Sequence, residues 1–277
     1  MECTVKDMTI HYQEVGSDRP ILMLHGWPLD HRHMMQTMEP LFAHRPGWRR
    51  IYPDAPGMGK TRGPAWMTHH DEILDALLEL LDTLAPGERF VVAGTSYGGY
   101  LARGCVHRRG SQIDGILLNV PKVETDDTKT CLPEHRVLRE DAAFLKALSD
   151  EEQKTVREIQ VVQSVEILQD YRTVIAPAVA IADQEFLHRI QPNHFVTFDV
   201  DALAEPFPAP ALFLTGRYDH WCGYREAYRL LDDYPRATFA VLDCAGHNLP
   251  FEQKSLFRAL ANEWLDRVEE YARQGES

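Results

Sequence analysis

The chain has 277 residues and a formal charge of −13, with 29 lysines and arginines against 42 aspartates and glutamates. That acidic excess is spread along the sequence and disfavours nucleic acid and anionic membrane as partners. The length suits one large α/β domain carrying an insertion, or two smaller domains.

At the N-terminus, Met1-Glu2-Cys3 has no basic stretch leading into an apolar run, and no later segment approaches the ~18 apolar residues of a membrane span. A soluble, cytoplasmic protein is expected. Residues 4–15 alternate loosely, as an antiparallel edge pair does. Ile21-Leu22-Met23-Leu24 is then a short apolar run stopping at His25-Gly26, the mark of a buried strand that ends in a loop. The mark recurs at Arg50-Ile51-Tyr52, Phe90–Ala93, Ile113–Val120, Ala211–Leu214 and Thr238–Leu242. Helical spacing fills the intervals at 33–44, 70–84, 97–109, 223–234 and 250–272. Strand alternating with helix predicts a mostly parallel sheet with helices on both faces, and ligands beyond the carboxyl ends of the strands.

Residues 121–207 break this rhythm. They hold helical patterns at 134–148, 150–169 and 178–190, and no buried strand returns until after Glu205-Pro206-Phe207-Pro208. An inserted helical cap over 121–207 is expected, set on a core of 1–120 and 208–277. With nine basic and seventeen acidic residues, its outer face is expected to be acidic.

Five cysteines (Cys3, Cys105, Cys131, Cys222, Cys244) form no CxxC pair, and reduced thiols are expected. Cys105 could be offered as a nucleophile, but it lies in an apolar helical pattern and reads as packing.

Gly94-Thr95-Ser96-Tyr97-Gly98-Gly99 follows the strand Phe90–Ala93 directly and opens a helix. This is G-x-S-x-G in the strand–turn–helix setting that gives the pattern meaning. Glycine two positions either side of Ser96 allows a turn too tight for side chains, leaving the serine in strained backbone at a helix N-terminus. A serine hydroxyl is a weak nucleophile and needs a base near pKa 7, itself fixed by a partner. Of thirteen histidines, His247 lies between the last strand and the last helix. The others, His31, His33, His69 and His70 included, read as solvated surface, with no metal-ligand set. Asp219, in Thr215-Gly216-Arg217-Tyr218-Asp219 after a strand, completes the order serine, acid, histidine. Asp243 is the alternative acid, nearer in sequence. Acyl transfer also needs oxyanion donors, for which the backbone N–H groups of Trp27, in His25-Gly26-Trp27-Pro28, and of Tyr97 are placed. Asp54-Ala55-Pro56-Gly57-Met58-Gly59-Lys60-Thr61 imitates the end of a phosphate loop, but Asp54 occupies the first glycine position and Pro56 removes an N–H.

Through these segments together the sequence resembles the α/β-hydrolase superfamily, in its lidded serine esterase and C–C hydrolase-like branch. The resemblance implies an eight-stranded, mostly parallel sheet, a triad of Ser96, Asp219 and His247, an oxyanion hole at Trp27 and Tyr97, no cofactor and no metal. It also implies a cap that forms the substrate pocket, with Phe144, Leu148 and Val162 among the residues expected to line it. Serine at 96 argues against the related haloalkane dehalogenases and epoxide hydrolases, which place aspartate there. Dienoate-cleaving relatives often have asparagine before the serine and tryptophan after the histidine, where this chain has Thr95 and Asn248. Their acidic substrates call for a cap arginine, and Arg136, Arg139, Arg157, Arg172 and Arg189 are available.

The expectation is hydrolysis of a small carboxylic ester, thioester or lactone through an acyl-enzyme on Ser96. C–C bond hydrolysis or acyl transfer by the same triad is the alternative, and a non-catalytic small-molecule receptor is a third. The expected partner is a small-molecule substrate, and the sequence leaves open whether the chain is a monomer or a homodimer.

Overall fold

The computed structural model describes residues 1–126, 128–193 and 195–275. Eight strands form one sheet in the order β1 (Glu2–Val5), β2 (Met8–Val15), β4 (Trp48–Pro53), β3 (Arg19–Leu24), β5 (Phe90–Thr95), β6 (Ile113–Asn119), β7 (Ala211–Gly216) and β8 (Ala237–Leu242). The edge pair β1–β2 is antiparallel, as is β2–β4, and every later pairing is parallel.

Both faces of the sheet are covered, which explains why its central strands read as unbroken apolar runs. In β3, Ile21 and Met23 pack with α1 (His31–Phe42) and α11 (Lys254–Gly275) through Met34, Met38, Trp264 and Val268. Leu22 and Leu24 face the other way, onto α2 (His70–Leu84) and α3 (Tyr97–Arg109), through Leu74, Leu77 and Leu101. The period-two alternation is thus present, with an apolar partner on each side. No helix among the described residues is long and apolar enough to cross a membrane.

Between β6 and β7 the chain makes five short helices: α4 (Ala142–Lys146), α5 (Asp150–Ile159), α6 (Val165–Asp170), α7 (Ala176–Ile181) and α8 (Gln184–Ile190). A wide turn over Tyr171–Ile175 joins α6 to α7, so 165–181 is one continuous helical stretch. Here the observed elements differ from the expected ones. Of the helix expected over 134–148 only 142–146 forms, and Arg139 instead pairs with Val162 through backbone. The stretch 171–177, expected to separate two helices, is helical. Of the helix expected over 223–234 only α9 (Arg225–Tyr228) is α-helical, and the last helix, expected over 250–272, breaks at Gln253 into α10 (Leu249–Glu252) and α11.

Candidate active site

Ser96 occupies the turn between β5 and α3 with φ 55° and ψ −117°, a conformation an L-residue adopts only under constraint. The constraint is a close approach of backbones. A Cβ on Gly94 would lie 2.1 Å from the Gly98 carbonyl oxygen, and one on Gly98 would lie 2.1 Å from that of Leu24. No side chain fits at either place, so the G-x-S-x-G spacing is a packing requirement of the turn. Because α3 starts at Tyr97, its N-terminus is at the serine.

The acid and the histidine come from the two loops after β7 and β8. These loops touch at backbone level: a Cβ on Gly216 would meet the Gly246 carbonyl oxygen at 2.3 Å. Asp219 is fully buried, and its Oδ1 accepts the amides of Trp221 and Cys222 at 3.0 and 3.1 Å. His247 Nδ1 lies 3.0 Å from Asp219 Oδ2 and 3.2 Å from Oδ1, so the imidazole donates into that carboxylate. Asp243, the alternative acid, is exposed and contacts the neighbouring Cys244 thiol. Burial opposes a charge on His247, but Asp219, with Cys222 beside it, outweighs burial and holds the imidazole well above the ordinary histidine pKa.

Glu252, on α10, was missed in the sequence. Its buried carboxylate accepts the Gly246 amide at 2.6 Å, and the Val161 and Val162 amides at 2.7 and 3.1 Å. Burial raises its pKa against the pull of these three bonds. One side chain therefore joins the residue before His247 to the end of the inserted helix α5. The only signal in the sequence was its place one helical turn beyond the histidine loop.

Ser96 and His247 line one cavity of about 490 Å³, without a direct hydrogen bond between them. Trp27 lines the cavity as well, with its ring edge-on to Tyr97 at 5.5 Å. The insertion supplies Thr155, Ile159, Tyr171, Ile175, Ala176, Val179 and Ala180. Five of these come from the single stretch 171–180, on the face that the i, i+4, i+8 spacing defines.

The expected pocket residues lie elsewhere. Phe144 and Leu148 pack with Leu145, Val156 and Leu168 in the insertion's own core, and Val162 packs on Ile167 and Phe251. Short helices must bury one face against each other before they can cover anything else, and those side chains form that face. Nor does any of Arg136, Arg139, Arg157, Arg172 and Arg189 line the cavity. Arg136, Arg157 and Arg172 pair with glutamates on the outside.

The histidines expected on the surface are also placed differently. His11 and His31 direct Nδ1 at the two oxygens of buried Asp54, at 2.9 and 2.7 Å, which brings three ligand-type side chains together. The Asp54 oxygens also accept the His31 and Lys60 amides, so this is a filled hydrogen-bonding knot. Burial alone would raise the Asp54 pKa, but these donors hold it well below the usual carboxylate range. The carboxylate fills the loop that imitated a phosphate cradle, and His25 braces it by accepting the Ala55 amide at 3.0 Å. His33 and His70 are buried. A second convergent set, Asp219, Cys222 and His247, is the acid–histidine pair with its neighbouring thiol. All five cysteines are unpaired, and burial pushes the Cys105 thiol up to about 12, far from a reactive thiolate.

A doubly wound sheet with a strained serine at a strand–helix turn, and an acid–histidine pair from later loops at the same sheet edge, has the α/β-hydrolase architecture. The chain belongs to the alpha/beta hydrolase family, whose model matches residues 21–260. It is 32% identical over 116 residues to the AB hydrolase superfamily protein YisY of Bacillus subtilis, covering 42% of each chain. It is 23% identical over 265 residues to a pimeloyl-[acyl-carrier protein] methyl ester esterase of Legionella pneumophila, covering 93% of this chain and all of that one. Among solved structures, an alpha/beta superfamily hydrolase from Oenococcus oeni superposes with a TM-score of 0.87 at 26% identity, over 97% of this chain and 99% of the other.

Proposed function

We propose that this chain is a serine hydrolase of uncharged carboxylic esters, thioesters or lactones, with residues 121–207 acting as a cap over the substrate. The observation that carries the reading is that a strained serine and a carboxylate-anchored imidazole, 151 positions apart, line one mostly apolar cavity.

Ser96 Oγ attacks the carbonyl carbon while His247 Nε2 takes its proton. The Asp219 carboxylate fixes the Nδ1–H tautomer and stabilises the imidazolium. The backbone N–H groups of Trp27 and Tyr97 hold the oxyanion. His247 then returns the proton to the departing alcohol or thiol, and water releases the acid from the Ser96 acyl-enzyme by the same steps. An esterase of another organism matching over its full length agrees with this reaction class. The dienoate-cleaving alternative is less well supported, because no lysine or arginine is among the described cavity residues to meet an acidic substrate.

The test is labelling with a fluorophosphonate, followed by peptide mapping. Modification at Ser96, with labelling and ester turnover reduced by about four to six orders of magnitude in Ser96→Ala, is the expected result. Undiminished turnover in that variant overturns the proposal, and ligand binding without labelling or turnover marks the chain as a receptor.

A further inference from the structure

Resting on the reading that the Ser96 cavity is the substrate site, we propose that His33 is its specificity determinant. The ring donates one hydrogen bond to an acceptor oxygen of the bound molecule other than the scissile carbonyl. The preferred substrates are then uncharged esters or thioesters bearing a second oxygen, as ketone, ether, hydroxyl or amide.

His33 is the third residue of α1, only 4% exposed, and lines the cavity with Ser96 and His247. Its Nδ1 is fully buried with no hydrogen-bond partner, and the ring stands edge-on to Phe251 at 5.7 Å. A buried polar atom of this kind calls for an explanation. Burial, with His25 and His247 nearby, pushes the His33 pKa down to about 3, so the ring is neutral at physiological pH and carries a single N–H. A sealed N–H without an acceptor costs more than a sealed lone pair. The proton therefore belongs on Nε2, the nitrogen through which a cavity-lining ring can reach a ligand.

The surroundings narrow the partner. Trp27, Pro28, Ile159, Ile175, Val179 and Ala180 make much of the wall apolar, and no lysine or arginine is among the described lining residues. An anionic group would be desolvated there without compensation. A neutral acceptor oxygen meets the one N–H and leaves nothing charged behind. His33 touches the substrate away from the reacting atoms, so its effect is on which ester is chosen.

The experiment uses straight-chain esters in which one methylene of the acyl or alcohol part is replaced, position by position, by an ether oxygen or a ketone. Each is compared with its all-methylene parent in the wild type, in His33→Phe and in His33→Gln, with thermal midpoints confirming that the variants fold. At one position the oxygenated-to-parent ratio of kcat/KM is expected to fall by about tenfold in His33→Phe, the worth of roughly one neutral hydrogen bond, and to recover in part in His33→Gln. The same ligand pairs titrated calorimetrically into Ser96→Ala and Ser96→Ala/His33→Phe give the ratio without turnover. Ratios that agree between histidine and phenylalanine within about twofold at every position, a difference too small for a hydrogen bond in a dry site, overturn the proposal. Turnover of the parent esters with flat ratios removes His33 and keeps the hydrolase. A calorimetric ratio that depends on His33, without turnover, does the reverse.

Discussion

The loops at the sheet edge and the inserted helices contribute to the same cavity by different physical means. The edge loops are fixed by backbone meeting backbone, at Gly94 with Gly98, Gly98 with Leu24, and Gly216 with Gly246. The insertion is five short helices, of which α4, α5 and α6 surround a small cluster of their own while α8 packs Phe186, Leu187 and Ile190 into the main core. Polar ties add to this packing, among them those through Glu252, through Asp170, which meets Gln36 and Lys254 at 3.1 and 2.9 Å, and through Thr197, which meets Asp71. Side chains at the edge have almost no freedom, whereas the helices can change any cavity-facing residue without disturbing the turn beneath. On the proposed reading, the residues that react and most of those that choose the substrate then lie in separately fixed parts of the molecule.

The sharpest way to break that separation is at the edge. Asp219→Asn keeps the shape of the loop but loses the charge that fixes the imidazole, and kcat is expected to fall by about 10⁴-fold with little change in KM. The pH profile supplies the sign. On the proposed mechanism the base works as the neutral imidazole, and the Asp219 carboxylate raises its pKa against the effect of burial. The acidic limb of kcat/KM should therefore lie above pH 6.5, activity rising as pH climbs through it. In Asp219→Asn burial is opposed by Cys222 alone, and the limb should shift below that of the wild type. A limb that stays put would mean that His247 does not titrate against Asp219.

A smaller effect is expected at the seam between the two regions. Glutamine at 252 retains one acceptor oxygen, and its NH₂ group must face either the Gly246 amide or those of Val161 and Val162. Leaving one buried donor unmatched costs about 1–3 kcal/mol. Glu252→Gln should lower the thermal midpoint accordingly and reduce kcat by about tenfold to a hundredfold, if the Gly246 bond sets where the imidazole sits. Lost stability with kcat unchanged would make Glu252 a tie between the regions with no positioning role.

How much could be read in advance follows the same division. The sheet, its helices and the positions of Ser96, Asp219 and His247 are legible because each is tied to a strand end, a glycine demanded by contact, or an apolar run. Glu252 is not legible, since its partners are amides of residues up to 91 positions away. In the insertion, apolar residues at helical spacing identify helices but not the side on which each one packs. Phe144 and Leu148 carry the same kind of signal as Ile175 and Val179, yet the former close the insertion's own core and the latter face the cavity. The wide turn at 171–175 hid the most important face, because the pattern appears interrupted where the helix continues. His33 and His70 read as solvated surface from the sequence, and only the fold brings the His33 turn beneath the insertion.

The smallest expected effects test the insertion against itself. Leu148→Ala removes buried methyl groups from the cluster of Phe144, Leu145, Val156 and Leu168, and should cost about 2–4 kcal/mol in stability. Because that cluster lies off the cavity, the order of preference among esters of different chain length should be unchanged, even where total activity falls with the folded fraction. Val179→Ala should do the opposite. Val179 is 40% exposed and lines the cavity, so its truncation should cost under about 1 kcal/mol in stability. It should shift the chain-length optimum of kcat/KM by roughly threefold to tenfold, the scale of one or two methyl contacts in an apolar pocket. Urea melts set beside a chain-length series, on both variants, give a two-by-two comparison. Selectivity that moves with Leu148 and not with Val179 would show that the insertion reshapes the cavity as a whole, so that its packing and its specificity cannot be assigned to separate faces.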